Sequence, residues 1–457
     1  MSKAFISFYL GFLLLLAAGG SADLQAGEPK KKPPKTVQTS ALKTVPPPPP
    51  VSIFGIQMDY QLDDSGLQQT VAAGAHWLRF DAFDWDRIEP QSAVPAVYRW
   101  DQVDEAGLQR AAQKGLEIIA VVKYVPEWAR KHPESGCGPI RPEALGRFAK
   151  FLSALVKRYK GPPYNIKYWE LGNEPDAPIW PGRVVYGCWG DQNDPYFGGA
   201  QYAQMLKAAF PAIKAADPEA RVLLGGLLLD NPKEDPHTMA RFLEGILKGG
   251  GGAYFDLLSF HGYSYFWGTA GLIRNHNWPG SGTSVTERIA FIKNVLKRYG
   301  LTHKPLINTE VALYCDADTP ECLETQAIFI PRAYAEGIAA GLQAVIYYVL
   351  ISDFRNIGLL RWDSTPRPSY RAYQTASSFL TKARYAGPPT GYPPGITGFS
   401  FVPPTGGFLD LVWSRDGAPT PVTLPPGSSA FDRYGSPLDS SSDPLAVGYG
   451  PVYIKKP

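Results

Sequence analysis

Two glutamates lie in segments that are predicted to be the C-terminal ends of β-strands. Glu174 lies in YWELGNEP, residues 168–175, and Glu310 lies in PLINTEV, residues 305–311. Two carboxyl groups in one site can hydrolyse a glycosidic bond: one, protonated, donates to the leaving oxygen, while the other, ionised, attacks the anomeric carbon. Different surroundings and mutual repulsion can separate their pKa values as this chemistry requires. Taken singly, the Asn-Glu-Pro could be a turn that ends a strand, and Glu310 could be an ordinary salt-bridged residue.

The elements that must position these carboxylates follow an alternating pattern of short β-branched runs and longer segments of helical period. Strands are predicted at 52–60, 77–83, 116–124, 166–174, 221–229, 255–263, 304–313 and 344–352, and helices at 107–114, 143–159, 202–216, 286–299 and 325–340. Eight strand–helix units are the count of a closed (β/α)8 TIM barrel, whose active sites lie at the C-terminal strand ends. An open doubly wound sheet is the rival, but Gly55-Ile56-Gln57-Met58 is not the Gly-rich phosphate turn typical of that fold.

The ends of the chain differ in composition from this body. Residues 1–26, with Lys3 followed by an apolar run at 5–18, predict a signal peptide, with an uncleaved anchor as the alternative. Residues 27–50 predict a Pro/Lys-rich linker, either a functional spacer or a remnant. The body then divides into a catalytic barrel at 51–385 and a small antiparallel, β-sandwich-like domain at 386–457, whose clearest strands are ITGFSFV at 396–402 and FLDLVWS at 408–414. We therefore expect a secreted or periplasmic protein with no stable membrane insertion after cleavage.

Charge and cysteine content exclude some classes of partner. The formal net charge is +3 and includes the cluster Lys30, Lys31, Lys32 and Lys35, so the body lacks the basic face that nucleic acid requires. The four cysteines are an even number in a chain with an export signal, and Cys315 is predicted to pair with Cys322, and Cys137 with Cys188. The cysteines lack C-x-x-C spacing and companion histidines, so the pattern predicts no metal site. The sequence also contains no phosphate-binding loop, so we expect no cofactor.

The two glutamate segments also carry a family resemblance. Trp-Glu-Leu-Gly-Asn-Glu-Pro at 169–175 resembles the strand-four motif of glycoside hydrolase clan A, and Ile-Asn-Thr-Glu at 307–310 resembles the strand-seven nucleophile segment of that clan. Family thirty-nine and cellulase-like members are the most similar, partly through residues 77–90 and 358–370. The resemblance implies that Glu174 is the acid/base, Glu310 the nucleophile and Asn173 a hydrogen-bond partner of the sugar 2-hydroxyl. It also implies a retaining reaction, with the carboxyl groups about 5 to 5.5 Å apart.

Four further residues match positions that contact the substrate or the glutamates in that clan. Arg79 on the second strand would hold the nucleophile ionised, although a structural ion pair inside the barrel, with Glu170 as partner, is the equal alternative. His261 and Tyr263 at the end of the sixth strand would contact the carboxylates or the sugar, unless His261 is only a core histidine. Trp128 after the third strand could stack on a sugar ring or could cap the core.

The sequence therefore predicts a retaining glycoside hydrolase that acts on a carbohydrate, a polysaccharide or an oligosaccharide, with two glutamates and no cofactor. The alternative is a non-catalytic carbohydrate-binding protein that has kept a glycosidase barrel. The sequence does not separate exo from endo action, because specificity depends on the shapes of loops.

Overall fold

The computed structural model describes residues 52–59, 62–179, 189–278, 280, 282–439 and 444–457. The predicted signal peptide and linker lie outside these residues. The strands, in chain order, are β1 (Phe54–Met58), β2 (Trp77–Asp84), β3 (Glu117–Lys123), β4 (Tyr168–Asn173), β5 (Arg221–Gly226), β6 (Leu258–Phe266), β7 (Ile273–Arg274), β8 (Leu306–Tyr314), β9 (Val345–Tyr347), β10 (Arg384–Gly387), β11 (Ile396–Val402), β12 (Phe408–Ser414), β13 (Thr420–Val422), β14 (Ser429–Phe431), β15 (Pro437–Leu438), β16 (Leu445–Val447) and β17 (Val452–Lys456). The helices are α1 (Asp64–Ala72), α2 (Trp85–Ile88), α3 (Glu105–Gln113), α4 (Leu145–Tyr159), α5 (Gly199–Ala216), α6 (Arg241–Lys248), α7 (Val285–Arg298), α8 (Pro320–Ala340) and α9 (Pro368–Leu380).

The first nine strands form one mostly parallel sheet in the order β5-β4-β3-β2-β1-β9-β8-β6-β7. Helices connect most of its parallel strands, as crossover connections require. Two isolated parallel bridges, Leu223 with Leu257 and Leu227 with Phe260, join the region of β5 to that of β6. The architecture is thus an α/β fold in which the strands run parallel and their C-terminal ends share one edge, apart from the short β7.

The eight predicted strands coincide with β1 to β6, β8 and β9, with ends shifted by a few residues. The five predicted helices coincide with α3, α4, α5, α7 and α8. The short β7 was not predicted: it pairs antiparallel with the end of β6, where Tyr265 is opposite Arg274 and Phe266 opposite Ile273. Two residues give too short a pattern for a period of two to be visible in the sequence.

A second, antiparallel sheet follows the helices, in the order β10-β11-β12-β17-β14-β15, beside the two-stranded pair β13-β16. The predicted runs at 396–402 and 408–414 are β11 and β12. This sheet packs on α9, where the ring of Phe379 stacks on Tyr453 at 4.7 Å and contacts Phe431 at 5.4 Å. The described residues between 384 and 457 therefore form an antiparallel sheet and a two-stranded pair, separate from the main sheet and joined to the main body by aromatic contacts.

The predicted disulfide between Cys315 and Cys322 is present and joins the end of β8 to the first turn of α8, with Cα atoms 5.9 Å apart. Cys137 is also disulfide-bonded, and its predicted partner Cys188 lies outside the described residues. None of the helices in the described part of the chain combines the length and the apolar character needed to cross a bilayer.

Candidate active site

Glu174 follows β4 directly and lies where the chain turns away from the sheet. Its backbone is left-handed, with φ at 49°, and its amide donates to the carbonyl of Gly226 at 3.0 Å. A non-glycine residue in this conformation is strained, and such strain is typical of functional positions. The side chain is only 6% exposed, and its Oε1 lies 2.9 Å from Nδ1 of His261. The sequence motif thus places a buried carboxyl group at the C-terminal edge of the sheet.

Glu310 lies on β8 and is equally buried, at 5% exposed. Nη1 of Arg79 donates to its Oε1 at 2.5 Å, and the hydroxyl of Tyr263 donates to its Oε2. Burial raises the pKa of Tyr263 well above its usual range, so this hydroxyl keeps its proton and remains a donor. Both oxygens of Glu310 therefore accept hydrogen bonds from neighbouring side chains.

The two carboxyl groups are close neighbours. One carboxylate oxygen of Glu174, one of Glu310 and a ring nitrogen of His261 all lie within 4.8 Å of one another. Nδ1 of His261 lies 3.4 Å from Oε2 of Glu310. Burial lowers the pKa of His261 to about 4, so the ring is neutral at pH 7. Its Nε2 has no hydrogen-bond partner among the described residues and packs against Gly226, so Nδ1 carries the proton.

The surroundings of the two carboxyl groups differ in charge. Burial raises the pKa of Glu174 to about 7, and the nearby Asp230 adds to this effect while Arg79 opposes it. Burial also raises the pKa of Glu310, but Arg79 and Tyr263 oppose this shift through direct contact. Because the cation touches Glu310 and not Glu174, Glu174 is the more readily protonated of the two.

Arg79 holds several parts of the site together. It is fully buried on β2, and besides Glu310 its guanidinium donates to Glu170 at 2.6 Å, to Gln57 at 2.5 Å and to Asn173 at 2.6 Å. Both interpretations of Arg79 from the sequence are therefore present in the structure: it forms a structural ion pair with Glu170, and it contacts Glu310. A buried charge is tolerated when it is paired and hydrogen-bonded in this way.

The carboxyl groups open into a cavity of about 840 Å³ at the C-terminal edge of the sheet. Its lining combines carboxylates, cations and phenol rings. The lining residues are Gln57, Asp59, Asp81, Lys123, Tyr124, Asn173, Glu174, Ala177, Pro178, Leu228, Asp230, Tyr263, Tyr265, Arg288, Glu310, Tyr314, Tyr348, Phe354 and Arg355. A cavity of this size accommodates a small-molecule ligand of several rings.

Of the residues predicted from the sequence, Glu174, Glu310, Asn173 and Tyr263 line this cavity, while Arg79 and His261 lie behind them. Trp128 is not brought to the cavity. Its indole N–H donates to the carbonyl of Glu89 at 3.1 Å, and its ring packs edge-on against Trp85 at 5.4 Å. This half-buried tryptophan, with a satisfied N–H, packs beneath the loop after β3.

A polar group in the cavity lining was not predicted from the sequence. Asp59 accepts from Gln57 at 2.7 Å and from the hydroxyl of Tyr348 at 2.8 Å, and Asp81 forms an ion pair with Lys123. Each of these residues lies at or near the C-terminal end of a parallel strand, which is the one feature that could have identified them. They supply donors and acceptors suited to the hydroxyl groups of a sugar.

Glu174, His261 and Glu310 are also a donor set that a metal ion could use. Two observations fit an acid–nucleophile pair better. The Arg79 cation already compensates Glu310 at 2.5 Å, and a second cation there would be repelled. Both oxygens of Glu310 are also occupied as hydrogen-bond acceptors.

The chain matches known proteins in three-dimensional structure but not in sequence comparisons. No family model matches the chain, and no curated protein matches it. The fold is similar to that of a family 39 glycoside hydrolase from the gut symbiont Bacteroides cellulosilyticus WH2, with 18% identity, a TM-score of 0.69, and coverage of 90% of this chain and 81% of that one. It is also similar to a GH39 β-xylosidase from Caulobacter crescentus, with 16% identity, a TM-score of 0.59 and coverage of 91% and 98%.

The catalytic domain of GH30 xylanase C from Talaromyces cellulolyticus is a third similar structure, with 16% identity, a TM-score of 0.57 and coverage of 90% and 99%. The chain thus has the fold of glycoside hydrolases of families 39 and 30. The resemblance that the two glutamate motifs indicated is confirmed at the level of the fold.

Proposed function

We propose that this protein is a retaining glycoside hydrolase that acts on a carbohydrate. The observation that carries the proposal is the pairing of Glu174 and Glu310, with carboxyl oxygens within 4.8 Å, in a cavity at the C-terminal strand edge. This short separation leaves no room for a water between the carboxylates and the sugar, which favours the retaining over the inverting reaction. The similarity of the fold to family 39 and family 30 enzymes supports the same conclusion.

In this proposal Glu174 begins the reaction protonated and donates its proton to the leaving oxygen as the glycosidic bond breaks. Glu310 attacks the anomeric carbon and forms a covalent glycosyl-enzyme. Glu174, now ionised, then takes a proton from water, and that water displaces Glu310 to restore both groups. Arg79 and Tyr263 hold the Glu310 carboxylate in position before substrate binds. Asn173, whose Oδ1 is fixed by Arg79, directs its amide towards the sugar 2-hydroxyl.

We further propose that the nine-stranded sheet closes into the (β/α)8 barrel expected for this chemistry, within residues 51–385. The backbone contacts between the regions of β5 and β6 support closure, since Leu224 donates to Leu257 at 3.2 Å and Leu227 to Ser259 at 3.1 Å. A buried apolar layer contributed by seven of the eight predicted strand regions also supports it: Trp77, Ile119, Tyr168, Leu223, Leu257, Ile307, Ala344 and Ile346. Such inward layers fill closed barrels. Residues 386–457 would be the accessory β domain.

We propose that residues 1–26 direct export and that residues 27–50 act as a linker, which would make the protein secreted or periplasmic. The disulfide between Cys315 and Cys322 is consistent with an oxidising compartment.

The test is hydrolysis of a panel of aryl β-glycosides and plant and bacterial polysaccharides by the purified protein, with Glu310→Gln as the inactive control. We expect turnover that is lost in the control, and the lengths of the products then separate exo from endo action. A Glu310→Gln variant that retains turnover within a few-fold of the parent would contradict the proposal. Carbohydrate binding without turnover would instead favour a non-catalytic binding protein.

A further inference from the structure

A second cavity, of about 550 Å³, lies beside the first and differs from it in charge. Its lining includes Arg274 of β7, Arg332 of α8 and Arg415 after β12, together with His276. Among the described residues that line it there is no carboxylate; Glu287 packs against its edge at Gly280. The first cavity, in contrast, contains several aspartates besides its two glutamates. The second cavity is therefore a cationic site.

Arg332 is the buried member of this cluster and is only 6% exposed. One of its terminal nitrogens donates to the carbonyl of Tyr449 and its guanidinium lies 4.7 Å from the ring of Trp413, while its Nε has no hydrogen-bond partner among the described residues. The nearest acidic group along α8, Glu336, instead accepts from Thr283 and Thr286, at 2.6 and 2.8 Å. A guanidinium buried without an ion pair is costly, and an anionic ligand would lower that cost.

Arg274 and Arg415 are exposed, and neither forms an ion pair with another described residue. The guanidinium of Arg274 lies 5.2 Å from the ring of Trp267, and that ring is 42% exposed. An exposed indole next to cations offers a flat apolar surface for a sugar ring beside groups that pair with negative charge. The three arginines come from three separate elements around the cavity. Its volume of about 550 Å³ is larger than a simple anion alone would fill.

The second cavity is connected to the first through aromatic residues. Tyr265, at the end of β6, lines the first cavity, and its ring lies 5.7 Å from His276. The ring of His276 in turn lies 5.0 Å from Trp267 at the second cavity. Tyr265 and Arg274 are also opposite each other in the β6–β7 hairpin. One glycan chain that passes along this hairpin can contact both cavities.

We propose that the second cavity binds an anionic sugar residue, one that carries a carboxylate or a sulfate, of a glycan whose neighbouring part occupies the catalytic cavity. The arginines pair with the acidic group, and Trp267 stacks on the ring. The connection to catalysis depends on the proposed hydrolase function, whereas the binding itself does not. Arg288 and Arg355 on the wall of the first cavity extend the same positive charge towards Tyr265.

The test is calorimetric titration of the full chain carrying Glu310→Gln, so that binding is measured without turnover. The probes are tetragalacturonic acid, a sulfated heparin-derived tetrasaccharide and, as the neutral match, cellotetraose. We expect at least one acidic probe to bind about tenfold more tightly than the neutral one, with an affinity that falls as ionic strength rises to about 0.15 M. Binding by the carboxylated or by the sulfated probe identifies which acidic group the site prefers.

Substituting two exposed arginines of the second cavity tests their role in binding, and substituting an exposed arginine elsewhere is the control. Adding Arg274→Gln and Arg415→Gln to the inactive chain should weaken the acidic probe about tenfold, because each substitution removes a charge-assisted contact. Arg384→Gln, an exposed arginine on β10 outside both cavities, should leave the affinity unchanged. Equal affinity for acidic and neutral probes, or an undiminished affinity in the double variant, would overturn the proposal. A hydrolase screen without turnover would leave this binding result standing, so the two proposals fail separately.

Discussion

Nη1 of Arg79 lies 2.5 Å from Oε1 of Glu310, and both side chains are buried. The guanidinium also pairs with Glu170, so one cation faces two carboxylates inside the sheet. The contact fixes the direction of the Glu310 side chain and favours its ionised form, which is the form that the proposed nucleophile requires. It therefore connects a structural ion pair deep in the fold to the reactivity of the site.

Removing this cation should damage both stability and activity. In Arg79→Met, Glu170 and Glu310 lose their buried partner, and we expect the free energy of unfolding to fall by about 3 to 5 kcal/mol. The pKa of Glu310 should rise further, so the acid limb of the pH–activity profile should move to higher pH. Urea unfolding and the pH dependence of kcat/KM measure the two effects.

The double variant Arg79→Met/Glu170→Gln is the control for folding, since it removes one of the uncompensated charges. It should recover part of the stability but not the position of the acid limb. An acid limb that stays at the parent pH in both variants would show that Arg79 has a structural role alone.

The protonation of Glu174 should set the alkaline limb of activity. Because burial raises the pKa of this group to about 7, the fraction that can donate a proton falls above that pH. We expect kcat/KM on a substrate with a poor leaving group to fall about tenfold for each further pH unit. An aryl glycoside with an activated leaving group should show a weaker decline. Identical alkaline limbs for the two substrates would argue that another group is responsible.

The same raised pKa predicts how stability depends on pH. The folded protein holds the Glu174 proton up to about pH 7, whereas an unfolded chain releases it near 4.5. Between these values the unfolded state binds fewer protons, so the free energy of unfolding falls as the pH rises. Glu174→Gln removes this penalty, and we expect a gain of about 1 to 3 kcal/mol above pH 7 and almost none below 4.5. Thermal unfolding at several pH values, with the exposed Glu143→Gln as control, measures it; a gain that is independent of pH would contradict the assignment.

The roles of the two glutamates can be separated by chemical rescue. Glu174→Ala should retain the first step on an activated aryl glycoside but react slowly afterwards, because no base assists the water. Azide can enter the vacated space and attack the glycosyl-enzyme, which yields a glycosyl azide of retained configuration. An azide product of inverted configuration from this variant would mean that Glu174 is the nucleophile. Proton NMR of the product distinguishes the two outcomes.

The sequence was sufficient to predict the framework of the site. Glu174 follows one predicted strand and Glu310 lies on another, and the β-branched and aromatic residues of both strands are easily recognised. Parallel strands bring their C-terminal ends together, so the two glutamates are expected in one site. The Arg79–Glu170 ion pair could also be predicted, since alternation along β4 places Glu170 on the same side of the strand as Glu174, deeper in the predicted barrel and within reach of Arg79 on β2.

Other features depend on tertiary structure and could not be predicted. The left-handed backbone of Glu174 is not indicated by residue type, because glutamate rarely adopts it. Trp128 follows the C-terminal end of the third predicted strand, yet the loop after β3 turns its ring towards Trp85. The second cavity combines residues from β7, α8 and the loop after β12, which are far apart along the chain.

The most direct test of the central claim is to identify the carboxylate that becomes covalently bound to the sugar. A 2-deoxy-2-fluoro glycoside with an activated leaving group slows the breakdown of the glycosyl-enzyme, so that the adduct can be located by peptide mass spectrometry. We expect one adduct of one sugar per chain, on the peptide that contains Glu310, and none in Glu310→Gln. An adduct on Glu174, or hydrolysis that inverts the anomeric configuration with no adduct, would contradict it.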